Sequence, residues 1–206
     1  MTGGELGADG LPIAKPRRRI WSIRSVVSMG LLCSLSVVLG TALSFNLVPL
    51  GGTYTLRITI NLLPIQLSGL CFGPLAGFVV GVIADFLKWA VAPTGYYHPG
   101  IGIDAGLSAV IVTIATTLIQ RRPIRLAHEP DANALRSITI WQVLPGVAAS
   151  QIICSMLLNS YWIASMQHVS ILATLPVRIV NSLIMIPVYA ILLRACGRSV
   201  SRFGLL

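Results

Sequence analysis

Charge is scarce in this chain. Only 10% of its 206 residues are Asp, Glu, Lys or Arg, against roughly 25% in a soluble globular domain. With 55% apolar residues and a mean hydropathy of +0.83, a water-soluble fold is excluded and an integral membrane protein is implied. Paired cysteines are missing too. Cys33, Cys71, Cys154 and Cys196 are scattered, each in or at the end of an apolar run, with no Cys-x-x-Cys. That excludes a disulfide framework and a zinc site and leaves four small membrane-buried side chains. His98, His128 and His168 lack metal-ligand spacing, so no metal or cofactor is expected. There is no Gly-x-x-x-x-Gly-Lys-[Ser/Thr] phosphate loop, and the chain cannot hydrolyse ATP by that route. Nor is there a Gly-x-Ser-x-Gly elbow, which argues against an intramembrane hydrolase.

What is present is long apolar runs with cations between them. Residues 1–24 form a polar, Gly-rich head ending in Lys15, Arg17, Arg18, Arg19 and Arg24. Ser25 to Val48 is apolar for 24 residues, longer than the ~7–15 residues of a signal-peptide core, so it reads as a first transmembrane helix. Further spans are expected at Ile58–Phe72, Pro74–Ala92, Ile101–Ile119, about Ile138–Ser165 and Ile171–Ala195. The second is short and contains Pro64. The net charge of +9 would suggest nucleic acid in a soluble protein. Here its source is the positive-inside rule. With six spans the head, the loop carrying Arg121, Arg122, Arg125 and Arg136, and the tail carrying Arg194, Arg198 and Arg202 all fall on one side. The expectation is an all-α integral membrane protein of six transmembrane helices with both termini cytoplasmic. Its parts are a basic head (1–24), a membrane domain (25–195) and a short basic tail (196–206). No nucleic-acid partner is implied, and the bilayer is the surrounding medium.

Several polar or small residues inside the apolar runs need an explanation. Gly69, Gly73, Gly77 and Gly81 recur every four residues, and Asp85 continues the series. Small residues at this spacing let helices approach closely, which reads as internal packing. Lys88 stands at i+3 from Asp85 and can pair with it, so a structural ion pair competes with a proton relay. Gly30 and Ser34 make a second small-xxx-small pair on the first span, a docking face for another membrane helix. Residues 92–100, Ala-Pro-Thr-Gly-Tyr-Tyr-His-Pro-Gly, form an outer loop around Tyr96, Tyr97 and His98. It reads either as an interfacial aromatic belt or as a lid that lays rings over a flat ligand. Asn159 and Trp162 share a helix face. They serve as an inter-helix hydrogen bond with an interfacial Trp, or as a reader of a heterocycle edge.

Arg57 and Arg178 are the least expected residues. Both are flanked by apolar neighbours at the edge of, or within, a span. Placing a guanidinium in hydrocarbon costs at least ~2.5–3.5 kcal/mol. Each therefore calls for a partner, a polar cavity or an anionic ligand.

At these residues the chain resembles a known family. Arg57-Ile-Thr-Ile-Asn-Leu-Leu-Pro-Ile-Gln-Leu-Ser-Gly and Phe72-Gly-Pro-Leu-Ala-Gly-Phe-Val-Val-Gly-Val-Ile-Ala-Asp85 resemble the substrate-binding S components of energy-coupling factor vitamin transporters. Gly95-Tyr-Tyr-His-Pro-Gly100, Leu158-Asn-Ser-Tyr-Trp162 and Leu175-Pro-Val-Arg178 are similar to the folate-specific branch. The likeness spans roughly residues 25–195. Three departures stand out. The family's first helix carries an Ala-xxx-Ala docking motif where this chain has Gly30 and Ser34. Its lid reads Tyr-Phe-Pro-Gly where this chain has Tyr97-His98-Pro99-Gly100. Lys88 stands where a small or apolar residue is usual.

The resemblance implies a protein that binds folate from outside, assembles with a membrane coupling subunit and two cytoplasmic ATPases, and topples to release the vitamin inside. Folate has a flat pterin, an aromatic linker and two carboxylates. Arg57 and Arg178 would then meet anionic groups, Asn159 and Gln66 the pterin edge, and Tyr96, Tyr97 and Trp162 would stack, with His98 altering the polarity of the lid. Another vitamin such as pantothenate would use one arginine only. An intramembrane enzyme or a purely structural scaffold is the remaining alternative.

Overall fold

The computed structural model of the chain describes residues 22–42, 45–50, 54–58, 60–93, 97–121, 139–167 and 171–203, and for 45–50, 54–58, 163–164, 166–167, 171–177 and 200–203 the backbone alone. Five helices in it are long and apolar enough to cross a membrane, and a shorter one makes the sixth element of the bundle. α1 (Ile23–Ala42) has 20 residues, about 30 Å at 1.5 Å rise, one hydrocarbon thickness. α2 (Leu62–Phe72) has only 11 residues. It is too short to cross, yet Leu63 to Gly69 are all buried, because α1, α3, α4 and α7 enclose it. α3 is Pro74–Val91 and α4 is Pro99–Ile119. The fifth span, Ile140–Trp162, is composite: α5 (Ile140–Ser150), a π-helical stretch (Gln151–Leu158) and the start of α6 (Asn159–Gln167). α7 (Ile171–Phe203) runs for 33 residues, past the expected end at Ala195. Its membrane-compatible window is Arg178–Ser199.

A two-stranded antiparallel hairpin, β1 (Phe45–Leu50) and β2 (Tyr54–Ile58), lies between α1 and α2. It corrects two expectations: the first span stops at Ala42, and the second begins at Leu62 rather than Ile58. Tyr54, Leu56 and Ile58 alternate with polar residues, the period of a strand rather than of a helix. The register shifts by one residue between Asn46 and Pro49, where a proline cannot donate to the ladder. β2 rests against α7. Arg57 therefore stands on a strand outside the helices, paired across the ladder with Asn46, and is not an intramembrane residue of a helix.

The glycine series splits into two roles. Gly73 is not on a helix face: it joins α2 to α3 at φ 99°, a value L side chains rarely adopt, and Pro74 then starts α3. Gly77 and Gly81 are packing positions. A Cβ on Gly81 would lie 2.6 Å from the Gly106 Cα, and one on Gly77 would lie 2.8 Å from both the Gly69 Cα and the Ala109 Cβ. Backbone meets backbone there, so α2, α3 and α4 form the tight centre. Hydroxyls in α4 bond to their own helix: Thr113 to the Ala109 carbonyl and Thr116 to the Val112 carbonyl, both at 2.7 Å. Around this centre Ile65, Phe72, Ala76, Ala109, Val112, Val143, Val147 and Tyr189 are buried. Leu31, Val38, Leu75, Ile83, Ile103 and Leu183 point outward, the pattern of a bundle whose solvent is lipid. The four cysteines are free, and three of them are buried.

Candidate functional site

One end of the bundle collects the polar groups. The last turns of α3 and of the fifth span reach it, and so do the first turns of α2, α4 and α7. His98 caps α4: its backbone is extended and its Nδ1 accepts the Gly100 N–H at 3.1 Å. The His98 and Trp162 ring centroids are 4.8 Å apart. Gly100 is pressed on the same indole, since a Cβ there would lie 2.5 Å from Trp162 Cε2. Only glycine lets α4 begin under Trp162.

Tyr97 turns the other way. It packs edge-on against Phe86 at 5.4 Å and against Trp89 at 5.3 Å, and its hydroxyl lies over Gly102. Burial, and then the charge of Asp85, push the Tyr97 phenol up, so it remains a donor at neutral pH. Asp85 is buried and pairs with Lys88 at 2.5 Å, the i, i+3 pair expected from spacing. The Lys88 stem covers Gly40 of α1 beside Asn61. Tyr97 is thus part of an aromatic cluster on α3. Tyr96 lies outside the described residues.

Arg178 is half-buried near the start of α7. Its Nη1 donates to the Ser155 carbonyl at 2.7 Å. Ser155 belongs to the π-helical stretch, where the Asn159 N–H reaches the Cys154 carbonyl. Such stretches often sit at functional sites because they redirect backbone carbonyls. One turn on, Asn159 Oδ1 and Trp162 Nε1 are buried with no hydrogen-bond partner.

Gln66 on α2 is fully buried, and neither its Oε1 nor its Nε2 has a partner. Gly69, one turn deeper, packs on Ala109 and Thr113 of α4. α2 and α4 run in the same direction and pack on each other at Gly69, so Gln66 lies within about one turn of the depth of Asp104. An unsatisfied buried polar group costs about 1–3 kcal/mol, and native structures tolerate few. Several at one end of one bundle indicate a surface built to meet a polar ligand.

The structure therefore brings Arg178, Asn159, Trp162 and His98 together. Arg57 is near α7 by its strand, but its side chain is not described. One group was missed by sequence reasoning. Asp104 on α4 is buried, is hydrogen-bonded to the Cys154 thiol, and feels the charges of Arg178 and Asp85. Its Oδ1 has no partner. The signal was available: a carboxylate in Ile101-Gly-Ile-Asp-Ala-Gly106 breaks an apolar run. Among the described residues no cluster of His, Cys, Asp and Glu could hold a metal.

Gly30 and Ser34 lie elsewhere, on the outward face of α1. The buried side of that helix is Ser25, Met29, Cys33, Ser36 and Gly40. Nothing comes within 4 Å of a Cβ built on Gly30, and Ser34 Oγ merely donates to the Gly30 carbonyl at 3.0 Å. The pair does not pack inside this chain.

Comparison with known proteins adds the family. The model described as "ECF-type riboflavin transporter, S component" matches residues 20–198. A protein named folate transporter FolT from Clostridium novyi (strain NT) is 23% identical over 184 residues, covering 89% of this chain and 94% of that protein. Another of that name, from Leuconostoc mesenteroides subsp. mesenteroides, is 25% identical over 142 residues, 66% of this chain and 68% of that one. Among solved structures, a crystal structure of FolT bound with folic acid shares the fold, with TM-score 0.65 at 20% identity over 86% of this chain and 94% of that one. The S component of a bacterial ECF transporter also shares it, with TM-score 0.57 at 16% identity over 86% and 97%. The family model and the relatives are named for different vitamins, but for one kind of protein. The chain belongs to the ECF-type transporter S-component family and is a multi-pass, substrate-binding transport subunit of the cell membrane, not an enzyme.

Proposed function

We propose that this S component binds folate from outside and serves its uptake. The observation that carries the vitamin is Arg178. It is a half-buried guanidinium that donates one hydrogen bond among the described residues, to Ser155 of the fifth span. Riboflavin carries no carboxylate and needs no such group, whereas folate carries two. The names of the curated relatives support the same choice. The riboflavin reading rests on the name of the family model and is the alternative that a titration with both vitamins decides.

In the folate reading Arg178 meets a ligand carboxylate, with Arg57 on β2 as a second cation. Gln66 presents an unpartnered amide and Asn159 an unpartnered amide oxygen, and these read the pterin. Trp162, held by Gly100 and His98, is the stacking surface, and Tyr96 and Tyr97 belong to the covering loop.

The cation pattern supports one orientation. Both termini and the loop of Arg121 to Arg136 are cytoplasmic, and the Arg178 end faces outward. In a cysteine-free background, His98→Cys should react with an impermeant maleimide applied to intact cells, and His128→Cys should not. Outside labelling at position 128 would overturn the six-span orientation.

Energy for uptake comes from a membrane coupling subunit and two cytoplasmic ATPases. α1 offers the face for that contact, because Gly30 and Ser34 are small and exposed, so a partner helix can approach closely. Gly30→Leu or Ser34→Leu should abolish co-purification with the coupling module while folate affinity stays unchanged. Equal loss of folate binding would mean that the pair supports the fold of this chain instead.

A further inference from the structure

We infer that Asp104 reads the 2-amino and N3–H edge of the pterin and thereby selects a pterin over a flavin; this rests on the folate reading above. Asp104 is only 6% exposed, and no cation lies within ion-pair distance of it among the described residues. One carboxyl oxygen is engaged by the Cys154 thiol, and Oδ1 has no donor. Nothing in the helix packing requires an acid here, since Gly102 and Gly106 flank it and Ala105 is next to it. A buried carboxylate oxygen without a donor is costly. The group is therefore explained by a donor that arrives with the ligand.

The position fits that role. Cys154, the partner of Asp104, immediately precedes Ser155, the acceptor of Arg178. Asp104 thus lies deeper than the Trp162 surface and beside the fifth span. Gln66, with a donor and an acceptor unused, is at nearly the same depth on α2. A ring system that enters past Trp162 would meet Asp104 and Gln66 at the deeper end of the site.

The chemistry then discriminates. A pterin presents its exocyclic amino group and ring N3–H side by side, two parallel donors that suit a carboxylate. The isoalloxazine edge presents a single N–H between two carbonyl oxygens, and those oxygens would face the acid. A site built around a ligand donor rejects analogues that lack it, because its own acceptor is then left unpaired.

The experiment uses the purified full chain and two ligands, folate and an analogue with methyl in place of the 2-amino group. The native chain should bind folate ~10- to 100-fold more tightly than the analogue, the worth of a hydrogen bond to a charged group. Asp104→Asn should lose a similar factor for folate and little for the analogue, so the gap closes. Equal losses for both ligands would make Asp104 a structural or positioning residue and overturn the inference. So would a native chain indifferent to the 2-amino group, a result that needs no variant to fold. A native chain that binds riboflavin and no folate would overturn the folate reading itself, which separates the two failures.

Discussion

Alanine at position 178 should weaken folate binding by about one to two decades. The side chain it removes is half-buried and can offer planar, charge-assisted donors to a ligand carboxylate, an interaction worth about 1.5–3 kcal/mol. Part of its effect is internal, because Arg178 also satisfies the Ser155 carbonyl at 2.7 Å. Loss of that bond should cost about 1 kcal/mol of stability and lower the melting temperature slightly. Arg178→Lys separates the two parts. An ammonium can still reach one acceptor but cannot present a fork, so stability should return while affinity recovers only partly. Arg57→Ala should give the smaller loss, since that residue stands on the hairpin beside α7. Titration with folate, with thermal unfolding as the fold control, checks all three variants. Unchanged affinity in both alanine variants would remove the arginines from the site and with them the main argument for an anionic vitamin.

How much of this was legible before any coordinates differs by element. The long spans were, because 18 or more apolar residues in a row have one reading in lipid. The Asp85–Lys88 pair was, because i, i+3 spacing fixes neighbours on a helix. The hairpin was not. Residues 54–58 alternate like a strand, but they run into the apolar Ile58–Phe72 segment, and short apolar runs do not distinguish helix from strand. Gly73 looked like one more member of a four-residue series, and only its φ of 99° shows that it is the joint between two helices.

Of the expected site residues, Arg178, Asn159, Trp162 and His98 gather at one end of the bundle, Tyr97 turns to the α3 cluster, and the acid was not foreseen. Attention to arginines passed over Asp104, although a lone carboxylate inside a span is as costly as a lone guanidinium. The π-helical stretch has no sequence signature among Gln151–Leu158, and it is what brings the Ser155 carbonyl to Arg178. His98, expected as a substrate-binding residue that alters the polarity of the lid, is a helix cap against Trp162. Gly30 and Ser34 were identified as a small pair by spacing alone. That they face away from the bundle depends on which side of α1 is buried, and hydropathy does not report this when every neighbour is apolar.

The family model and the curated relatives are named for different vitamins, and the polar groups of the site distinguish the two ligands. A site that holds a guanidinium, a buried acid and the unpaired amide of Gln66 should reject a neutral flavin strongly. Buried polar groups left unpaired by the wrong ligand cost ~2 decades or more in affinity. The direct measurement is a competition on the purified chain in detergent, with folate and riboflavin each titrated alone and then against each other. Saturable folate binding that survives about a hundredfold excess of riboflavin is the predicted result. Tight riboflavin binding that folate fails to displace would contradict it.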